Sequence, residues 1–231
     1  MLRRSAIRDI LRCTRISRNH LTPEISLRLL TPDHPLYWTH WQPESCPFTD
    51  PFWAFYWPGG QVLARYILDH QSEFSGGRGW YFGCGCGAVG LALLLSGSNS
   101  VLFNDIDSVA CLATNLNLHL NDLNSSKAII SNYDFINFAN EPIKSLKLEF
   151  DYILVGDMLY DSEFSEKLVQ KLLDSRTING NCRILVGDPG RSGMTNFRQK
   201  VELKLLGRYA LPDGAKLENN GLTSAEVLEI V

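Results

Sequence analysis

A chain of 231 residues is long enough for one domain with a sizeable core and too short for two large ones. Hydrophobic residues make up 45% and charged residues 20%, a globular mixture that excludes a disordered chain, a collagen-like repeat and a coiled coil. The net charge of -3 is unevenly spread: residues 1–20 carry six arginines against Asp9, a charge of +5, which leaves -8 on the remainder. That acidic body argues against binding a phosphate backbone, so nucleic acid is not an expected partner. The longest apolar run, Gly87 to Leu95, is far short of the ~20 residues of a membrane span, so no membrane partner is expected either.

Residues 1–20 place Leu2, Ala6, Ile7, Ile10 and Leu11 on one helical stripe and Arg4, Arg8, Arg12 and Arg15 on another. An Arg- and Ser-containing, acid-poor amphipathic start reads as a mitochondrial transit segment, removed in the matrix. The six cysteines (13, 46, 84, 86, 111 and 182) form no CxxC pair, so neither a metal nor a redox centre is expected. A second segment, 21–58, opens with the alternating strand pattern of residues 24–30. Residues 31–58 hold six of the ten prolines and four of the five tryptophans, which predicts a long ordered loop without regular elements.

From 59 onwards one domain is expected. Pro58 starts a helical pattern with Val62, Leu63, Tyr66 and Ile67 on one face. Strand 79–82, helix 88–95, strand 100–103, helix 108–119, strand 127–131, strand 150–156, helix 163–174 and strand 182–187 follow. A helix near 193–203 and strands near 205–211 and 224–231 finish the chain. This alternation predicts an α/β fold, a mostly parallel sheet with helices on both faces.

In such a sheet the ligand sits beyond the carboxyl ends of the strands. After the first strand come Gly83, Gly85 and Gly87, which let the backbone turn sharply beside a ligand; Gly85, Gly87 and Gly90 also satisfy the dinucleotide pattern. After the next strand, Asp105 is placed to accept both hydroxyls of an adenosine ribose, while Asp107 reads as a helix cap. In Ser131-Asn132-Tyr133-Asp134 a side-chain amide or carboxylate can reach an adenine amino group, with Asn132 the candidate. The strand ending at Gly156 delivers Asp157 and then Tyr160 to the cleft mouth.

Together with Trp57-Pro58-Gly59-Gly60-Gln61, these positions resemble the seven-strand, S-adenosylmethionine-dependent methyltransferases of class I, Rossmann-like fold. More narrowly they resemble the protein-lysine branch marked by Asp/Glu-x-x-Tyr, here Asp157-Met158-Leu159-Tyr160. The segments that carry the resemblance are 22–32, 50–69, 83–88, 104–107, 156–161, 187–191 (GDPGR) and 218–223 (ENNGLT). The resemblance implies methyl transfer from S-adenosylmethionine to a lysine of a folded mitochondrial protein, the electron transfer flavoprotein beta subunit in the narrowest matching group. It implies Asp157 and Tyr160 as catalytic residues orienting the amine. Trp57, Gly83, Gly85, Gly87, Asp105, Asn132 and Asp157 would hold the cofactor, and no metal is implied. Arg191 is expected either in a plain turn or facing acidic groups of the partner. One departure stands out: where the family's first strand carries an acid that helps hold the methionine part of the cofactor, this chain has Tyr81.

Overall fold

The computed structural model describes residues 2–39, 46–137, 149–180, 182–214 and 221–231. Its centre is a seven-stranded sheet of order β5-β4-β3-β6-β7-β9-β8. The strands are β3 (Arg78–Phe82), β4 (Ser100–Asn104), β5 (Ala128–Ser131), β6 (Tyr152–Gly156), β7 (Arg183–Asp188), β8 (Leu203–Ala210) and β9 (Ser224–Ile230). β3 to β7 run parallel, and β9 is antiparallel to both of its neighbours, β7 and β8. The seven strands predicted from residue 79 onwards all appear, shifted by at most two residues at their starts and ends.

Strands such as Ile153-Leu154-Val155 and Ile184-Leu185-Val186 are apolar throughout because both of their faces are covered. Side chains alternate between two cores. Tyr81, Leu154 and Leu185 face one with Leu63, Ile67 and Leu91. Trp80, Ile153 and Ile184 face the other with Leu168, Leu172 and Phe197. The first core is covered by α3 (Pro58–Asp69) and α5 (Ala88–Leu95), the second by α7 (Ser162–Asn179) and α8 (Met194–Lys200). A short α4 (Gln71–Phe74) follows α3, and α6 (Ser108–Leu120) follows β4. Each large side chain buried this way contributes roughly 1.5–3 kcal/mol.

The amino-terminal third is more ordered than its proline content suggests. α1 (Leu2–Cys13) packs on α6, and β1 (Arg15–Ser17) pairs antiparallel with β2 (Leu27–Leu29). The ladder therefore crosses the boundary expected at residue 20, and only residues 27–29 of the expected strand 24–30 are extended. The loop predicted for 31–58 instead contains α2 (Pro35–Thr39) and a 3-10 turn, Phe52–Ala54. Pro35 is tolerated because it stands first in its helix, where the missing N–H has no partner to lose. Trp41 and Pro43 of that segment, and residues 218–220, lie outside the described residues. All six cysteines are free thiols.

Helix α3 sits directly on the ends of β6 and β7. A Cβ on Gly59 would stand 2.1 Å from the Gly187 carbonyl oxygen and 2.6 Å from the Asp157 nitrogen. A Cβ on Gly187 would meet the Gly59 oxygen at 2.0 Å, and one on Gly156 would meet the Gly60 Cα at 2.9 Å. Three glycines thus set the helix-to-sheet distance, because backbone faces backbone and neither can give way. Gly59→Ala is expected to lower the unfolding free energy by about 3 kcal/mol, measured by urea denaturation. An unchanged midpoint would show that α3 can move off the sheet.

Candidate active site

The parallel strands end in a cavity of about 810 Å³, within the range of small-molecule sites. The first wall is the turn after β3. Gly83, Gly85 and Gly87 adopt φ of +63°, +50° and +87°, a region closed to most side chains. Gly83 also lies against Met158, whose sulfur would be 2.4 Å from a Cβ there. Gly83 and Gly85 line the cavity; Gly87 instead heads α5, packed on Thr114, and serves the turn rather than the wall.

Asp105 ends the second strand. Its Oδ2 accepts the Gly85 N–H at 2.8 Å and its Oδ1 the Asp107 N–H at 3.0 Å, which leaves one lone pair on each oxygen for ribose hydroxyls. Burial pushes its carboxyl above the ordinary value, and these two N–H groups pull it back part of the way. Asp107 caps α6 by accepting from Val109, as its position suggested. Ile106, 69% exposed, stands between them on the cavity wall, a flat apolar surface beside the ribose ligand.

Asn132 is not at the site. It is exposed and does not line the cavity. The Asn104 amide holds the Ser131 and Tyr133 carbonyls at 3.1 and 2.9 Å, and the turn so fixed brings Asp134 and Ile136 to the wall instead. Tyr81 is also absent from the wall. It is buried in the α3/α5 core, its hydroxyl 3.6 and 3.5 Å from where Cβ atoms on Gly60 and Gly156 would stand, so it fills space beneath α3.

Asp157 and Tyr160 both line the cavity, as expected. Asp157 has a φ of +61°, a strained conformation for a residue with a side chain, held because its carboxylate is gripped from two sides. Oδ2 accepts the Gly59 N–H at 2.6 Å and Oδ1 accepts the Arg191 Nε at 2.5 Å. Trp57, the N-cap residue of α3, has no side-chain acceptor, so Asp157 caps that helix from a neighbouring strand. Burial raises the Asp157 carboxyl, while the Arg191 charge and the Gly59 N–H oppose the rise. Tyr160 is 57% exposed and stacks on Phe164 with centroids 5.5 Å apart.

Arg191 was readable only as a turn residue or a partner contact. The structure aims it inward, with its guanidinium carbon 5.6 Å from the Trp57 ring centroid and its Nε on Asp157. Asp188 sets that aim: its Oδ1 accepts the N–H groups of Gly190 and Arg191 at 2.6 and 2.8 Å. Its Oδ2 is buried with no hydrogen-bond partner among the described residues. Trp53 also lines the cavity, and nothing in the local pattern distinguished it from its aromatic neighbours.

These features match those of known proteins. The fold is shared with the N-methyltransferase NodS from Bradyrhizobium japonicum, solved with S-adenosylhomocysteine, at a TM-score of 0.53 and 13% identity, over 80% of this chain and 92% of that one. It is shared also with SMU.776, solved with the same compound, at 0.58 and 12%, over 77% of this chain and 50% of that one. The architecture is that of the class I methyltransferases.

The family described as lysine methyltransferase matches residues 54–202. The electron transfer flavoprotein beta subunit lysine methyltransferase of Danio rerio is 42% identical over 92% of this chain and 78% of its own length. The human protein of that name is 37% identical over 91% and 76%, and the Caenorhabditis elegans homolog 37% over 98% and 96%. The chain belongs to the lysine methyltransferase family, and its cofactor is S-adenosylmethionine. The cavity fits that group: glycines leave the backbone open beside a carboxylate with free lone pairs, and aromatic rings stand opposite.

The Arg191 guanidinium pairs with Asp157, while Asp188 receives only the Gly190 and Arg191 N–H groups: burial, with the Asp157 charge beside it, pushes the Asp188 carboxyl up to about 6. A raised folded-state value means that ionisation opposes folding. Stability is intact below the unfolded value of 3.8 and is lost as pH rises through about 6. Asp188→Asn keeps the acceptor for Gly190 and Arg191 but cannot ionise. The variant is expected to gain on the wild type by up to about 3 kcal/mol between about pH 4 and pH 7, measured by denaturation at each pH. A constant difference across that range would contradict the assignment.

Proposed function

We propose that this enzyme methylates a lysine of the electron transfer flavoprotein beta subunit in the mitochondrial matrix. The observation that carries this reading is the substrate named for relatives that match nine-tenths or more of the chain, 91% for the human protein and 98% for the Caenorhabditis elegans homolog. The arginine-rich start supports the compartment. The cavity wall supports a cationic target. Asp50, Asp107, Asp134 and Asp161 line it, whereas the lining cations Lys167 and Arg191 are paired with Glu163 and Asp157. Such a field draws in a lysine and repels a phosphate backbone.

S-adenosylmethionine, when bound, supplies a methyl group already activated on a sulfonium. The chain's own residues then have two tasks, alignment and desolvation. Gly83, Gly85 and Asp105 would hold the cofactor's nucleoside side, and Trp57 would face its positive end. Tyr160 and Phe164 give the lysine stem an apolar entrance, and water excluded there disfavours the ammonium over the amine. The Tyr160 hydroxyl and the Asp157 carboxylate accept hydrogen bonds from the amine N–H groups and so aim its lone pair. The ammonium proton leaves to solvent through the exposed side of Tyr160 before the N–C bond forms.

The test is incubation of the purified enzyme with recombinant beta subunit and labelled S-adenosylmethionine, followed by peptide mapping. Label on a lysine is expected. Asp157→Asn, which keeps an oxygen for the Gly59 N–H but loses the charge opposite Arg191, is expected to lower turnover by about 100-fold and the melting temperature by a few degrees, so turnover is read well below the transition. No label on the beta subunit would refute the substrate. Normal turnover by Asp157→Asn would refute the catalytic role.

A further inference from the structure

Residues 2–20 are linked to the cofactor cavity along two paths, neither of them by lining it. In the first, Ile10 and Cys13 are buried in a cluster with Trp53 and Ala54 and with Ala110 and Ala113 of α6. Trp53 is a wall of the cavity, so α1, which packs on α6, belongs to the same apolar cluster as that wall. In the second, β1 pairs with β2 through Arg15–Leu29, Ile16–Arg28 and Ser17–Leu27. β2 is in turn held by α6, where Asn117 Oδ1 accepts the Arg28 N–H at 2.8 Å. The same Asn117 donates its Nδ2 to the Cys86 carbonyl at 2.8 Å, and Thr114 donates to the Gly85 carbonyl at 3.0 Å. The glycine turn that opens the cavity is thus hydrogen-bonded to the helix on which the amino-terminal hairpin rests.

The arginines do not oppose this packing. Arg4, Arg8, Arg12 and Arg15 are exposed, so the basic stripe faces solvent while Ile10 is fully buried on the other side. An amphipathic address and a packed helix need the same pattern, and one segment can serve as both. Cutting after residue 20 would remove Ile10 and Cys13 from the cluster that holds Trp53 and remove one strand of the β1–β2 ladder.

We infer that residues 2–20 stay in the working enzyme as a buttress of the S-adenosylmethionine site, with Ile10 the residue that positions Trp53. This goes beyond the substrate reading and does not depend on it. The first experiment uses the full chain and isothermal titration with S-adenosylmethionine. Ile10→Ala is expected to weaken cofactor binding about tenfold, and to raise the KM for cofactor equally while kcat at saturation stays within about twofold. The control is Leu172→Ala in the opposite core, away from the cavity. It is expected to lower the melting temperature comparably and leave cofactor affinity within about twofold, so that stability loss alone does not mimic the effect. If Ile10→Ala does not fold, Ile10→Val is read by the same criterion, with a loss of about threefold expected. Wild-type affinity in the folded Ile10 variant would overturn the inference. The second experiment is the amino-terminal sequence of the enzyme recovered from the cells that make it. A start that retains Ile10 supports the inference, and a start beyond Thr14 overturns it.

Discussion

The carboxylate of Asp157 closes the amino terminus of α3, and most of the site depends on that contact. A helix that begins Trp57-Pro58-Gly59 has no side chain of its own to receive its first N–H groups. The residue after β6 provides the acceptor, which joins the end of the central strand to the start of α3 at 2.6 Å. The contact forms only because Gly59, Gly156 and Gly187 bring backbone against backbone. Any of the three with a side chain would lift α3 and leave Asp157 buried without its donor.

Holding a carboxylate there has an electrostatic consequence. Removing a charge from water is costly unless a partner remains, and Arg191 is that partner. Arg191 also lies over the Trp57 ring, so helix cap, carboxylate, guanidinium and aromatic wall form one connected group drawn from three stretches of chain. Asp188 orients the arginine and remains undercompensated itself, the origin of its raised carboxyl. The GDPGR segment is therefore part of the active site's support. Its arginine is engaged inward, on the enzyme's own carboxylate.

Sheet and helices were legible because burial on both faces writes itself as apolar runs, and a 3.6-residue period is local. Asp105, Asp157 and Tyr160 were legible because they follow strands. The remainder failed where the signal was not local. Nothing near Asn132 indicated that Asn104 would pin the turn and carry Asp134 inward. Arg191 and Asp157 are 34 residues apart, and only the parallel pairing of β6 and β7 brings them together. The first twenty residues carry the amphipathic pattern of an address, and the same apolar stripe supplies Ile10 as a packing residue, which no local pattern distinguishes. Tyr81 stood out as a missing acid, yet what fixes its role is the space under Gly60 and Gly156.

Asp157 and Arg191 work as one unit, and a double-mutant cycle measures their coupling. Asp157→Asn, Arg191→Gln and the double variant would be compared by kcat/KM on the protein substrate. If the two side chains act together, the double variant is little worse than Asp157→Asn alone, a coupling of about 2 kcal/mol. Losses that simply add, with coupling below about 0.5 kcal/mol, would show that the two side chains act independently and reduce Arg191 to a bystander beside Asp157.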